Sequence, residues 1–211
     1  MTLTRNHALL DAEVKAHLEA DALIRGHYWK DGKGCFIGCL THSDDPAPAF
    51  ERFGLPEPVL RIAESIFEAL PDDEGRKFFA ALPHAVERDG KDLSLVHWKF
   101  LAAELRALPK VSAEIQSVID PVIAGMDLLS SGKEWPQELA LAAARAAAYA
   151  ARAAAYAARA AAYAAAYAAA DAAAYAAHHA AACAARAARA ADAAARIRQR
   201  DTLLRLISEA A

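Results

Sequence analysis

The stretch Arg145-Ala-Ala-Ala-Tyr149-Ala-Ala-Arg152-Ala-Ala-Ala-Tyr156-Ala-Ala-Arg159-Ala-Ala-Ala-Tyr163-Ala-Ala decides the fold class. It repeats one seven-residue phrase three times and lies in a longer tract, Ala140 to Ala195, in which only 16 of 56 residues are not alanine. From Gln137 to Ala211 there is no Gly and no Pro. Alanine has the highest helix propensity, so the tail is expected to be helical before any packing is counted. Unbroken, it would be on the order of 100 Å long. A turn-back near His178-His179 is the alternative.

At 100° per residue, Arg145, Tyr149, Arg152, Tyr156, Arg159 and Tyr163 share one stripe of that helix. The stripe reads in two ways. It is a packing seam, in which Tyr supplies buried area and the Arg stems lie along it. Or it is a ligand wall, in which an Arg and a Tyr four residues apart hold a phosphate and stack a base. The bare alanine face invites close approach of a second copy, so homo-oligomerisation through the tail is expected.

Working outward, alanine accounts for much of the 56% hydrophobic content of this 211-residue chain. Ala buries little area, so the large-side-chain core must come mostly from residues 1–138. Charge divides the same way. Residues 1–138 carry 15 Lys/Arg against 23 Asp/Glu, a balance of −8, and residues 139–211 carry 9 Arg against 4 Asp/Glu, a balance of +5. Such a tail is drawn to an acidic surface or to a small anion such as a nucleotide. Duplex DNA is disfavoured, because nine Arg along a long helix is a modest density and the net charge is −3. No window is apolar enough to span a bilayer, and no leader pattern is evident, so a cytoplasmic location is expected. Three cysteines give no disulfide framework.

The N-terminal part reads as a series of amphipathic helices: 4–25, capped by Thr4 or Asn6; one from Pro58 to before Pro71; one capped by Asp72 or Asp73; one opened by Asp92; and one opened by Ser112 and kinked at Pro121. The overall expectation is an all-α protein. Residues 1–131 form a helical domain with an irregular Gly/Cys loop at 26–48, and residues 132–211 form the Ala/Arg/Tyr-rich helix.

The loop runs His27-Tyr-Trp-Lys-Asp-Gly-Lys33-Gly-Cys35-Phe-Ile-Gly-Cys39-Leu-Thr-His42. A short strand is expected at Tyr28–Lys30 or Cys35–Leu40. Cys35, Cys39, His42 and His27 have donor types that suit zinc, but the paired Cys-x-x-Cys of structural sites is missing, so no metal and no cofactor are expected. Cys35 or Cys39 beside His42 is a candidate catalytic thiol. The bland reading is a buried turn with the cysteines as small core residues. Lys33, between two glycines, is a weak candidate for phosphate.

The segments Tyr28-Trp29, Gly32-Lys33-Gly34-Cys35, Gly38-Cys39, His42-Ser43, Phe53-Gly54-Leu55-Pro56 and Ile66-Phe67-Glu68-Ala69-Leu70-Pro71, followed by the alanine-rich tail, resemble a family of bacterial and bacteriophage proteins. The resemblance implies a small cytoplasmic protein that travels with phages, and it assigns no catalytic residue. The sequence reading is therefore a non-enzymatic, self-assembling binding protein that sequesters a small anion, with Arg145, Tyr149, Arg152, Tyr156, Arg159, Tyr163 and Lys33 as ligand residues. The alternatives are an assembly module without a small ligand and a metal- or thiol-dependent enzyme built on the loop.

Overall fold

A computed structural model describes residues 3–108, 112–146 and 192–211. The described chain is mostly helical, as the all-α reading expects. It divides into two compact units, residues 1–103 with 193–211, and residues 104–192. Among the described residues, no helix is long and apolar enough to cross a membrane.

The first unit opens with α1 (His7–Glu19), which starts later than the sequence reading placed it. Asn6 takes the N-cap position, but neither Thr4 nor Asn6 makes a side-chain capping bond. Asn6 sits at φ 54° with no capping bond and donates its side-chain amide to the Arg52 carbonyl. Thr4 is buried, donates to the Arg88 carbonyl and accepts from the Lys91 amide. A tertiary contact has claimed each polar side chain that helix signals alone assign to a cap.

Trp29–Lys30 (β1) and Lys33–Gly34 (β2) form a two-stranded antiparallel hairpin. Asp31 and Gly32, both at positive φ, make its turn, the backbone that Asp-Gly supplies in a two-residue hairpin. The segment from Cys35 to Leu40 is not a strand. Phe36–Thr41 is a short helix, α2, buried from Phe36 through Leu40. A brief apolar run is compatible with either state, because its pattern alone does not separate a buried helix from a buried strand.

Three helices follow: α3 (Ala47–Phe53), α4 (Glu57–Ala69) and α5 (Asp72–Val86). Pro71 takes the cap position of α5, so Asp72, Asp73 and Glu74 lie in its first turn, where the helix dipole favours negative charge. Phe36 sits at the centre of the core, its ring 5.0 Å from Phe78, 5.3 Å from Phe79 and 6.1 Å from Phe67, centroid to centroid. α6 (Val96–Arg106) begins in this unit.

The last residues of the alanine-rich tail belong to the same unit. Residues 192–208 are helical, and Leu203 and Ile207 are fully buried in the core that contains Leu10, Phe53 and Leu93. The Asp92 amide donates to the Ala211 carbonyl at 2.6 Å. The described end of the tail is thus part of the compact unit that holds residues 3–103. Periodicity places Leu203 and Ile207 on one face but does not say which surface they cover.

In the second unit, α7 (Ala113–Ser130) is capped by Ser112, whose side chain accepts from the Ile115 amide, and it continues through Pro121. Residues 137–146 are helical. Trp135 lies against Gly125, and a Cβ there would stand 2.2 Å from the indole.

Candidate functional site

Two glycines build the site. A Cβ on Gly38 would fall 1.4 Å from the Tyr28 carbonyl oxygen, and one on Gly34 would fall 2.3 Å from the same atom. The backbone of residues 27–28 can therefore lie directly on the start of α2. There the Cys35 amide donates to the His27 carbonyl at 3.0 Å and to the Tyr28 carbonyl at 3.2 Å. This close approach is the physical reason for the Gly-Cys-x-x-Gly-Cys pattern.

Opposite this loop, α4 presents Arg61, Glu64, Ser65 and Glu68, a spacing that puts all four on one helical face. Between them is a cleft of about 330 Å³ lined by Gly26, His27, Tyr28, Cys35 and these four residues. On its floor the Cys35 thiol donates to Glu64 Oε1 at 3.0 Å. Arg61 Nη1 lies 3.5 Å from Glu64 Oε2 and donates to the Tyr28 hydroxyl at 3.4 Å. The Gly26 amide donates to Glu68 Oε2 at 2.9 Å. One ligating atom from each of Cys35, Glu64 and Glu68 lies within 4.8 Å of the others.

The floor is acidic. Glu64 and Glu68 line it with one guanidinium, that of Arg61, which lies 3.5 Å from both Glu64 and Glu57. Burial first, and then the hydrogen bond to Glu64, pushes the Cys35 thiol up to about 12. Without a partner to displace its proton, this thiol is not an activated nucleophile near neutral pH.

The structure separates the residues singled out from the loop sequence. Cys39 is buried away from the cleft, its thiol directed at the Gly34 carbonyl at 3.3 Å, and burial pushes it up to about 12 as well. His42 is exposed and stacks on Trp29 with ring centroids 4.3 Å apart. Its Nε2 stands 3.2 Å from Nε2 of His17. The His17 Nδ1 faces the Glu13 carbonyl at 2.8 Å and must donate to it, so in the neutral pair His42 donates to His17. Among the described residues, Cys35, Cys39, His42 and His27 are thus not gathered around one point, and Cys35 pairs with Glu64 rather than with an imidazole.

Lys33 is exposed on β2, and the Gly34 amide beside it is already bonded to the Ala22 carbonyl at 2.9 Å. Arg145 is exposed in the second unit. Tyr149, Arg152, Tyr156, Arg159 and Tyr163 lie outside the described residues.

Arg61, Glu64 and Glu68 were not singled out from the sequence, because α4 reads as an ordinary amphipathic helix. No local signal marked Glu64, which lies in the polar arc of α4 with Arg61, Ser65 and Glu68; its burial comes from the packing of the loop against that helix. No known protein family, curated protein or solved structure matches the chain.

Proposed function

We propose that this is a non-enzymatic binding protein whose principal ligand site is the cleft between residues 26–35 and α4. One observation carries this reading: Cys35, Glu64 and Glu68, from two separate elements, meet at the floor of an open cleft. The two carboxylates make that floor selective for a cation or a donor-rich group such as an amine, and unfavourable for a free anion. The high thiol pKa argues for binding over thiol catalysis.

Ligand-observed NMR on the full chain tests this, with spermidine and arginine as cationic probes and AMP as the anionic probe. Spermidine or arginine should bind, AMP should not compete, and Ser65→Trp should abolish binding by filling the cleft from an exposed helix position. Stronger binding of AMP to the cleft, or cationic binding indifferent to Ser65→Trp, would remove the proposal.

A second reading concerns the tail, and the exposed Arg145 with the +5 balance of residues 139–211 favours it. Here the Arg/Tyr stripe binds a small anion such as a signalling nucleotide, and the tail self-associates, in keeping with a phage-borne protein that sequesters it. Light scattering of the full chain reads the self-association.

A further inference from the structure

We infer that the floor of the cleft binds one zinc-type divalent metal ion through Cys35 Sγ, one oxygen of Glu64 and one oxygen of Glu68, with a coordination position left open to the cleft. The inference rests on the reading of the cleft as the ligand site and names the ion that occupies its base.

The donor set selects the metal. A thiolate with two carboxylates suits a borderline-soft ion, whereas magnesium and calcium take oxygen donors alone. The geometry is close to what is needed. Zinc at about 2.3 Å from sulfur and about 2.0 Å from oxygen holds those atoms roughly 3.5 Å apart. Cys35 Sγ and Glu64 Oε1 are already 3.0 Å apart, and the Glu68 carboxylate completes a triad within 4.8 Å. A small rotation of the Glu68 side chain closes the set.

The surroundings already orient these groups. Glu64 Oε2 faces Arg61 and Glu68 Oε2 accepts from the Gly26 amide, which leaves the other oxygen of each carboxylate for the ion. Such outer contacts hold metal ligands in place. The sulfur comes from the start of α2, pinned under the Tyr28 backbone, and the carboxylates come from one face of α4. The donors therefore sit on two elements packed into the core, and the cleft supplies the entry path. The ion takes the place of the thiol proton between Sγ and Glu64 Oε1. The Cys35 S–H bond breaks, the S–metal bond forms from the same electron pair, and the proton passes to solvent.

The test uses the untagged full chain, reduced and stripped with chelator. Calorimetry with Zn²⁺ in two buffers of different ionisation enthalpy should give one ion per chain and one proton released per ion. Co²⁺ should produce a thiolate-to-metal charge-transfer band. Cys35→Ser should abolish the band, and Cys183→Ser should leave it intact. Because a buried change such as Cys35→Ser can impair folding, Glu68→Gln on the half-buried flank of α4 is the second variant. It should keep the helical circular-dichroism spectrum and weaken Zn²⁺ by at least about tenfold, the scale on which even outer contacts act. No saturable zinc, no charge-transfer band, or zinc affinity equal in wild type and both site variants would overturn the inference. If zinc fails while spermidine or arginine still binds in a manner abolished by Ser65→Trp, the metal is lost and the cleft reading stands. If both fail, both fall.

Discussion

Lys91 Nζ donates a 2.7 Å hydrogen bond to the backbone carbonyl of Ser208, a residue 117 positions away. Lys91 is buried, with 1% of its surface exposed, and Nζ also reaches the Ala85 carbonyl at 3.4 Å and Glu87 Oε2 at 3.1 Å. The ammonium thus sits at the C-terminal end of the helical residues 192–208, where a helix presents unpaired carbonyls and negative dipole.

Lys91→Met keeps the stem and removes the ammonium. It should destabilise the full chain by about 1–3 kcal/mol, because buried carbonyls are left without a donor. Urea unfolding followed by circular dichroism measures it. An unchanged midpoint would mean that the last helix is not fastened through Lys91.

Leu203→Ala should cost about 2–5 kcal/mol in the same assay, the range for a fully buried leucine. Leu139→Ala, at a position 60% exposed, should stay within about 0.5 kcal/mol. Equal effects would refute the docking of the tail's end into the core.

Gly38→Ala should destabilise by about 1–3 kcal/mol, since the new methyl meets a backbone carbonyl that has nowhere to go. Gly32→Ala places its methyl in open space and pays only for its positive φ, about 1 kcal/mol. Melting curves of the two variants should rank them in that order.

In metal-free Cys183→Ser protein, Cys35 and Cys39 should resist alkylation at pH 8. With both thiols near 12, only about one in 10,000 is ionised at that pH, and both side chains are buried. Iodoacetamide labelling followed by mass spectrometry should modify neither until urea unfolds the chain. Rapid labelling of the folded protein would contradict the buried hydrogen bonds.

Burial holds His97 below its ordinary 6.5. The unfolded chain therefore takes up this proton first, and stability should fall as pH drops below about 6.5, until the folded residue also titrates. Glu74 and Glu87 lie below their ordinary 4.5, Glu74 chiefly through hydrogen bonds from Lys77 and Arg200, Glu87 chiefly through one from Lys91. Their contributions are present above 4.5 and are lost further down, as pH falls through the folded values. Urea midpoints across pH 5–7 should slope in wild type and flatten in His97→Phe. An unchanged slope would assign the effect to other groups.

Much of the helical order was legible in the chain. Val59, Ile66 and Phe67 recur at helical spacing between prolines, and Ser112 stands where an N-cap is wanted, because those signals are local. Cys35 was singled out, but with the wrong company. His42 is its neighbour in sequence, whereas Glu64 and Glu68 reach it through packing.

Composition and periodicity by themselves determined an all-α chain and the charge division between its two ends, since propensity and charge are set by residue type and local spacing. Only the tertiary structure decided that Leu203 and Ile207 enter the core, that Lys91 meets Ser208, and that Gly34 and Gly38 exist to let Tyr28 approach. Only it brought the Cys35 thiol against two carboxylates of α4. These pairings depend on which faces bury the most apolar area together, and that choice is made by the whole core at once.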